Sequence, residues 1–331
     1  GPPAHPPLPL LYQPHAPIDV QQLRTRIAAP WANAGEPPAD APVFRVSRQQ
    51  TGVDPNGFGT VAEACAAAAP GGVTVIEVQD NGPLYQTTTA ITDRQIVIRA
   101  GKGYRPLIVW DVNRTLQDRK NGKGKDLPLA FFQVDGGRLS LDGIDVALKW
   151  SESGIEPAAL LHVRNADLDV QNCTFSIAGK HPDGIAWVRF QTDKDLVTRC
   201  RMQQCYARGG SLVALDLDAP KAEVLIEGCL VAGGQPALVQ VHPRRDNPPT
   251  LRVVRSTLVA GNTLLNILPA PAADHEPAFH FFGWDTLLSR SNEQIGGVLV
   301  GLPDQAITRN LRWEAVGCLY AGWQKLLGGS E

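Results

Sequence analysis

The chain has 331 residues, 43% of them hydrophobic, and a formal net charge of −2; it can bury a large core and offers no basic surface for nucleic acid. No run of 18 or more apolar residues occurs, which excludes a helical membrane span. An aromatic content of 6% beside 32 glycines and 27 prolines argues against a helical bundle and for short strands joined by many turns.

Residues 1–42 hold 11 of the 27 prolines, beginning Pro2-Pro3-Ala4-His5-Pro6-Pro7, and predict an extended polyproline-type arm or linker. Gly1-Pro2 stands where an initiator Met would and reads as a proteolytic scar. The expectation is a segment of a longer bacterial protein, secreted or at the cell surface. Residues 43–331 predict one domain. Thr60-x-x-Glu63 is a capping box that opens a short Ala-rich helix over about residues 60–69, stopped by Pro70-Gly71-Gly72. An alternating β-branched strand follows at Val73–Val78, then a turn at Asp80-Asn81-Gly82-Pro83 and a strand at Gln95–Arg99. The basic segment Arg114–Lys125, interrupted by Asp118, is expected to be a solvated insertion.

Beyond residue 125 the sequence repeats. One unit places a small or branched residue three positions after an apolar one, at Leu141–Ile144, Val170–Cys173, Met202–Cys205, Ile226–Cys229, Val254–Thr257 and Ala315–Cys318. Three of these continue as Leu230-Val-Ala-Gly, Leu258-Val-Ala-Gly and Leu319-Tyr-Ala-Gly. A second series consists of short apolar strands, each with one polar centre: Gln133, His162, Arg189, Asp216, Gln240 and Asn266, spaced 29, 27, 27, 24 and 26 residues apart. Two unlike series advancing together by about 27 residues are the signature of a solenoid.

Short strands at that period, without helices between them, predict an all-β parallel β-helix with coils over about residues 73–320, stacked about 4.8 Å apart. Cys173, Cys205, Cys229 and Thr257 are expected to form one inward ladder. The six cysteines (65, 173, 200, 205, 229 and 318) include no Cys-x-x-Cys pair, so most are read as buried free thiols and no metal site is predicted. The helix near residue 60 is placed to cap the first coil and Leu319–Leu327 the last, since an uncovered coil end templates aggregation.

The segment Phe58-Gly-Thr-Val-Ala-Glu-Ala-Cys-Ala-Ala-Ala-Ala-Pro-Gly-Gly-Val-Thr-Val75, with the Cys/Thr rungs, resembles the right-handed parallel β-helix proteins of the pectin-lyase-like superfamily over roughly residues 57–325. It is also similar to β-helix segments of large multidomain bacterial proteins. The resemblance implies the architecture and no single activity, because this fold hosts lyases, hydrolases, epimerases, adhesins and spacers. Its lyases use an acidic Ca²⁺ cluster and a basic residue that takes a proton beside a uronate carboxylate. Its polygalacturonase-like members use Asp residues on adjacent coils with Gly-His-Gly and Arg-x-Lys motifs. Gly-His-Gly and Arg-Ile-Lys are missing here, and the nearest to the Asp pair is Asp216-x-Asp218.

Residues alternate sides along a strand, so the polar centres should point outward together, with Asp135, Arg164, Gln191, Asp218 and His242 beside them two positions on. Arg189, Asp216 and Asp218 are the candidate catalytic groups, since paired carboxylates beside an arginine suit acid–base work on a uronate sugar. His162, Arg164, Gln191 and His242 are the candidate ligand contacts. The competing reading is that opposite charges on neighbouring rungs hold the stack together. The loop His242–Pro249 is a candidate groove wall. Phe279, Phe281, Phe282 and Trp284 are expected in core or loop packing, with stacking on sugar rings as the alternative. No phosphate loop, nucleophile elbow or zinc-protease motif occurs. The expected function is a non-catalytic binding or scaffold module without a cofactor, its partner a polysaccharide or a protein beside other domains of a longer chain. The alternative is a polysaccharide lyase or glycoside hydrolase acting on an acidic glycan, and only under it is Ca²⁺ expected.

Overall fold

The period near 27 residues arises because each coil spends its length on three strands and the bends between them. The computed structural model describes residues 36–49, 54–125, 127–151, 156–193, 196–234, 237–242, 248–268, 279–291, 297–302 and 311–329, with Thr25 and Ile27. The chain divides into two units, residues 1–35 and 36–331. Most of the predicted Pro-rich arm, like residues 243–247 of the His242–Pro249 loop, lies outside the described residues.

In one coil of the larger unit the strands are Asp167–Gln171, Thr174–Ala178 and Ile185–Gln191; in the next they are Arg199–Gln203, Tyr206–Arg208 and Leu212–Asp218. Each pairs in parallel with its counterpart, so the strands stack into three columns. The first column runs from Gly57–Phe58 through Val43–Val46 to Leu311–Val316, the second from Leu84–Gln86 to Leu319–Ala321, and the third from Thr89 to Lys325–Gly329. Two long strands, Thr89–Ala100 and Leu129–Asp142, pass through both the third and the first columns. This is an all-β parallel β-helix.

From the strand Leu129–Asp142 onward, a single left-handed residue makes each bend from the first column to the second. Gly143, Asn172, Gln204, Gly228, Arg255, Asp285 and Gly317 all have φ between 45° and 68°. Except for Gly317 in the last coil, their N–H groups keep bonding to the following coil, as from Gly143 to Gln171 O and from Asn172 to Gln203 O, each 3.1 Å, so these bends leave no buried donor unpaired. The next residue points inward. Cys173, Cys205 and Cys229 occupy that position as expected, but the next member is Ser256, not Thr257. Glu227 pairs with Val254, which places the repeat unit one residue earlier than the sequence pattern does. Small side chains with hydrogen-bonding atoms suit the position: Ser256 Oγ accepts from Cys229 N at 3.1 Å and donates to Val254 O at 2.8 Å. Cys229 Sγ accepts from Cys205 N at 3.4 Å. All six thiols are free, and burial pushes Cys65 and Cys173 up to about 12.

The same shift dissolves one of the Leu-Val-Ala-Gly matches. Leu230 pairs with Thr257 and Val231 with Leu258, so Leu258 enters the core while Leu230 faces out. Leu319 does share the Leu230 position, through Leu287.

At the start of the stack the helix α1, Val61–Ala67, follows the predicted capping box. Glu63 N donates to Thr60 Oγ1 and Thr60 N to Glu63 Oε2, both at 3.1 Å. Val61, Ala64 and Cys65 are buried in the core there. Leu319–Leu327 does not cap the other end. It continues the coil as the strands Leu319–Ala321 and Lys325–Gly329, because Leu287 pairs with Leu319 and Val298 with Lys325. Leu319, Tyr320, Leu326 and Leu327 are accordingly exposed.

The segment Arg114–Lys125 is not simply a solvated insertion. Most of it belongs to a second helix, α2, Val112–Lys120, whose N-cap Asp111 accepts from Arg114 N at 3.0 Å. Trp110 Nε1 donates to Thr115 Oγ1 at 3.0 Å, and Val112 and Thr115 are buried. Phe279, Phe281 and Trp284 are buried, with Phe281 stacked on Trp313 at 3.8 Å, which places these aromatics in packing.

Candidate functional site

The third column is where the polar centres meet. Phe131 and Phe132 both pack into the core, so the strand bends between them and Ala130, Gln133 and Asp135 are left on the outer side. Coil by coil, Gln133 pairs with His162, His162 with Arg189, Arg189 with Asp216, Asp216 with Gln240 and Gln240 with Asn266. Beside them run Asp135, Arg164, Gln191 and Asp218 in the same register. His162, Arg164, Arg189, Gln191, Asp216 and Asp218 thus stand in the register that the alternation gave them, whereas His242 lies just past the strand Ala237–Val241, its N–H on Leu217 O at 2.8 Å.

The row is more covered than outward positions predict. Gln133, His162 and Asp216 are 7%, 5% and 9% exposed. The segments leading into the third-column strands contact the row: Gln133 Nε2 donates to Pro128 O, and Arg189 Nη1 donates to Pro157 O at 3.4 Å. Glu156, next to Pro157, is held by Arg119 Nη2 at 2.6 Å, and its carbonyl lies 3.2 Å from His181 Nε2. The Pro128 cover is local, five residues before Gln133, whereas the Pro157 cover comes from 32 residues away; neither carries a motif.

Within the row the charges are matched. Asp216 Oδ2 accepts from Arg189 Nε at 2.8 Å, and Oδ1 accepts from His242 Nε2 at 2.9 Å. Arg164 bonds Asp135 and reaches Asp193 at 3.5 Å. His162 Nε2 lies 2.7 Å from Gln191 Oε1, which makes the imidazole the donor. Asp218 is half-buried in register with Gln191, and its charge helps to hold a proton on His242. Burial alone would raise the Asp216 carboxyl, but His242 and Arg189 outweigh it and hold the group below its ordinary 3.8. The hydrogen bond to Asp216 lifts His242 above 6.5, whereas burial lowers His162, more than its bond to Gln191 restores.

These directions set a pH window. The contribution of His242 is complete below pH 6.5 and fades as pH rises through its raised value. That of Asp216 is complete above 3.8 and fades as pH falls through its lowered value, so the cluster is tightest between those limits. His162 acts oppositely to His242, since its neutral form fits the fold and stability falls as pH drops below 6.5. An NMR titration of the imidazoles should place the midpoint of His242 above 6.5 and that of His162 below it, and Asp216→Asn should return His242 toward 6.5. Equal midpoints would refute both contacts.

Among the described residues, no group of three or more His, Cys, Asp or Glu is placed to hold a metal ion. The row can therefore offer hydrogen-bond donors and acceptors in steps of one coil, with Arg164 and His242, 46% and 43% exposed at the side chain, as its most open groups. Comparison with protein-family models, curated proteins and solved structures finds no match for this chain.

Proposed function

We propose that this chain is a non-catalytic β-helix module that binds a polysaccharide along the outer side of its third strand column. One observation carries the reading: the charged groups of the row are already paired with one another. Asp216 gives one oxygen to Arg189 and the other to His242, which stabilises its ionised form and makes it a poor proton donor near neutrality. Arg164, Gln191, Asp218 and His242 repeat at the coil spacing of about 4.8 Å, close to the length of one sugar residue, so an extended glycan can meet one group per coil. Membership of the pectin-lyase-like superfamily, and a place in a longer bacterial surface or secreted protein, are part of this proposal and rest on the resemblance of Phe58–Val75 and the rungs.

Retention on immobilised acidic and neutral polysaccharides tests the proposal. Binding is expected without release of unsaturated uronate or new reducing ends, with or without Ca²⁺. The double variant Arg164→Ala/His242→Ala should weaken retention at least tenfold while circular dichroism shows the β fold retained; the melting temperature falls modestly, because losing His242 leaves one oxygen of buried Asp216 unpaired. Product release would overturn the non-catalytic reading. A chain that no polysaccharide retains would be a spacer instead.

A further inference from the structure

The last coil leaves open what the coils before it close. Its strands Leu311–Val316, Leu319–Ala321 and Lys325–Gly329 pair with the preceding coil on one side, and among the described residues no strand pairs with the other side. Core positions are uncovered there. Tyr320 pairs with Leu288 and Leu327 with Val300, both fully buried, but Tyr320 and Leu327 are 40% and 47% exposed, and Leu326 is 62% exposed. Trp313, stacked on Phe281 at 3.8 Å, is only half-buried. A row of free backbone groups beside apolar side chains is a template for pairing with another chain. The start of the stack differs: α1 packs into the core there, and the edge strand Gly57–Phe58 is two residues long. Unlike ends therefore do not match, whereas two like ends can meet about a two-fold axis and close.

The edge strand Leu311–Val316 is self-complementary about such an axis. With the axis normal to the first column, the strand runs antiparallel to its own copy, and Leu319–Ala321 meets Lys325–Gly329 of the second copy. Opposed residues in an antiparallel pair point to the same side, so the axis must fall on one residue. Phe279 and Phe281 enter the core and pair with Leu311 and Trp313, so Arg312 and Glu314 alternate outward, where they bond each other at 2.5 Å. A centre on either charged residue would oppose it to itself. Only a centre on Trp313 opposes Arg312 to Glu314 of the other copy, and it does so twice. The same centre sets Trp313 against Trp313 and extends the ring stack begun by Phe281.

We propose that two copies of this chain join at their last coils, with the two-fold axis at Trp313. This assembly is independent of the polysaccharide reading. Sedimentation equilibrium of the 331-residue chain tests it, with a dimer expected at micromolar concentration. Leu327→Lys, at an exposed position, should raise the dissociation constant at least tenfold while circular dichroism shows the β fold retained. Arg312→Glu and Glu314→Arg each oppose like charges, and each should weaken the dimer by about tenfold. An equimolar mixture of these two single variants should associate within about threefold of the parent, because each then meets opposite charges in the other. A chain that stays monomeric at every concentration would overturn the proposal. So would a dimer that Leu327→Lys leaves intact, a mixture no tighter than its components, or assemblies that keep growing beyond two copies.

Discussion

Gly137→Ala is expected to destabilise the protein by about 4 kcal/mol, and Gly136→Ala beside it by about 1 kcal/mol. Both glycines sit where the strand Leu129–Asp142 turns from the third column into the first, with φ of +74° and +75°. The left-handed penalty is therefore common to both. What differs is the neighbour. A Cβ on Gly137 would lie 2.1 Å from Arg94 O and 2.7 Å from Arg94 N, the backbone of the preceding coil that pairs with it. That backbone has little room to retreat, because the strand runs at once into Gln95–Ala100, which pairs with Val73–Val78 on its other side. A Cβ on Gly136 meets Asp93 Oδ1 at 2.1 Å, the end of an exposed side chain that can swing aside. Urea unfolding of the two variants separates the contributions. Equal losses would mean that backbone conformation alone, without the close approach, governs the corner. Gln133 and Asp135 precede this corner on the same strand, so Gly137→Ala should also disturb the start of the row.

The register of that row was legible from residue spacing alone. Gln133, His162, Arg189, Asp216, Gln240 and Asn266 pair in sequence order because length differences between coils are absorbed in the bends and loops, outside the strands. The inward ladder was legible at Ile144 and at the cysteines, and failed where neighbouring residues allowed two frames. At Val253-Val254-Arg255-Ser256-Thr257 two frames both satisfy an apolar residue followed by a small one, and only the pairing of Glu227 with Val254 decides for Ser256. Alternation along a strand tells which side a residue faces and nothing about what lies over it. Hence the covering of Arg189 by Pro157, 32 residues away, had no local signal, and Pro128, though only five residues before Gln133, left no mark on the alternation. A cavity at the start of the row draws its walls from Thr88 and Ala90, from Thr115, Asp118 and Leu127, and from Gln133, three segments that no motif connects. Two traces of it stood in the chain: Asp111 three positions before Arg114 as a helix cap, and one glutamine among Phe131, Phe132 and Val134.

Trp187→Ala is expected to destabilise the fold by about 4 kcal/mol, whereas Trp187→Phe should stay within about 1 kcal/mol of the parent. The indole is fully buried, 4.9 Å from Phe175, and its Nε1 has no hydrogen-bond partner. Alanine leaves a large apolar void in a coil that rests on both neighbours. Phenylalanine loses part of the ring but also removes a buried donor that nothing satisfies, and the two effects oppose each other. The strand Ile185–Gln191 also carries Arg189 and Gln191 on its outer side, so the void acts on the row. A strand that settles toward the void draws Arg189 away from Asp216 and Gln191 away from His162, bonds of 2.8 and 2.7 Å. With Arg189 displaced, the repulsion that opposes protonation of His242 weakens, so its midpoint should rise further above 6.5 in Trp187→Ala and stay in place in Trp187→Phe. Chemical denaturation gives the first comparison and imidazole titration the second. A large stability loss with an unmoved His242 midpoint would show that the core and the outward row respond independently, and the row would then owe its geometry to its own ion pairs.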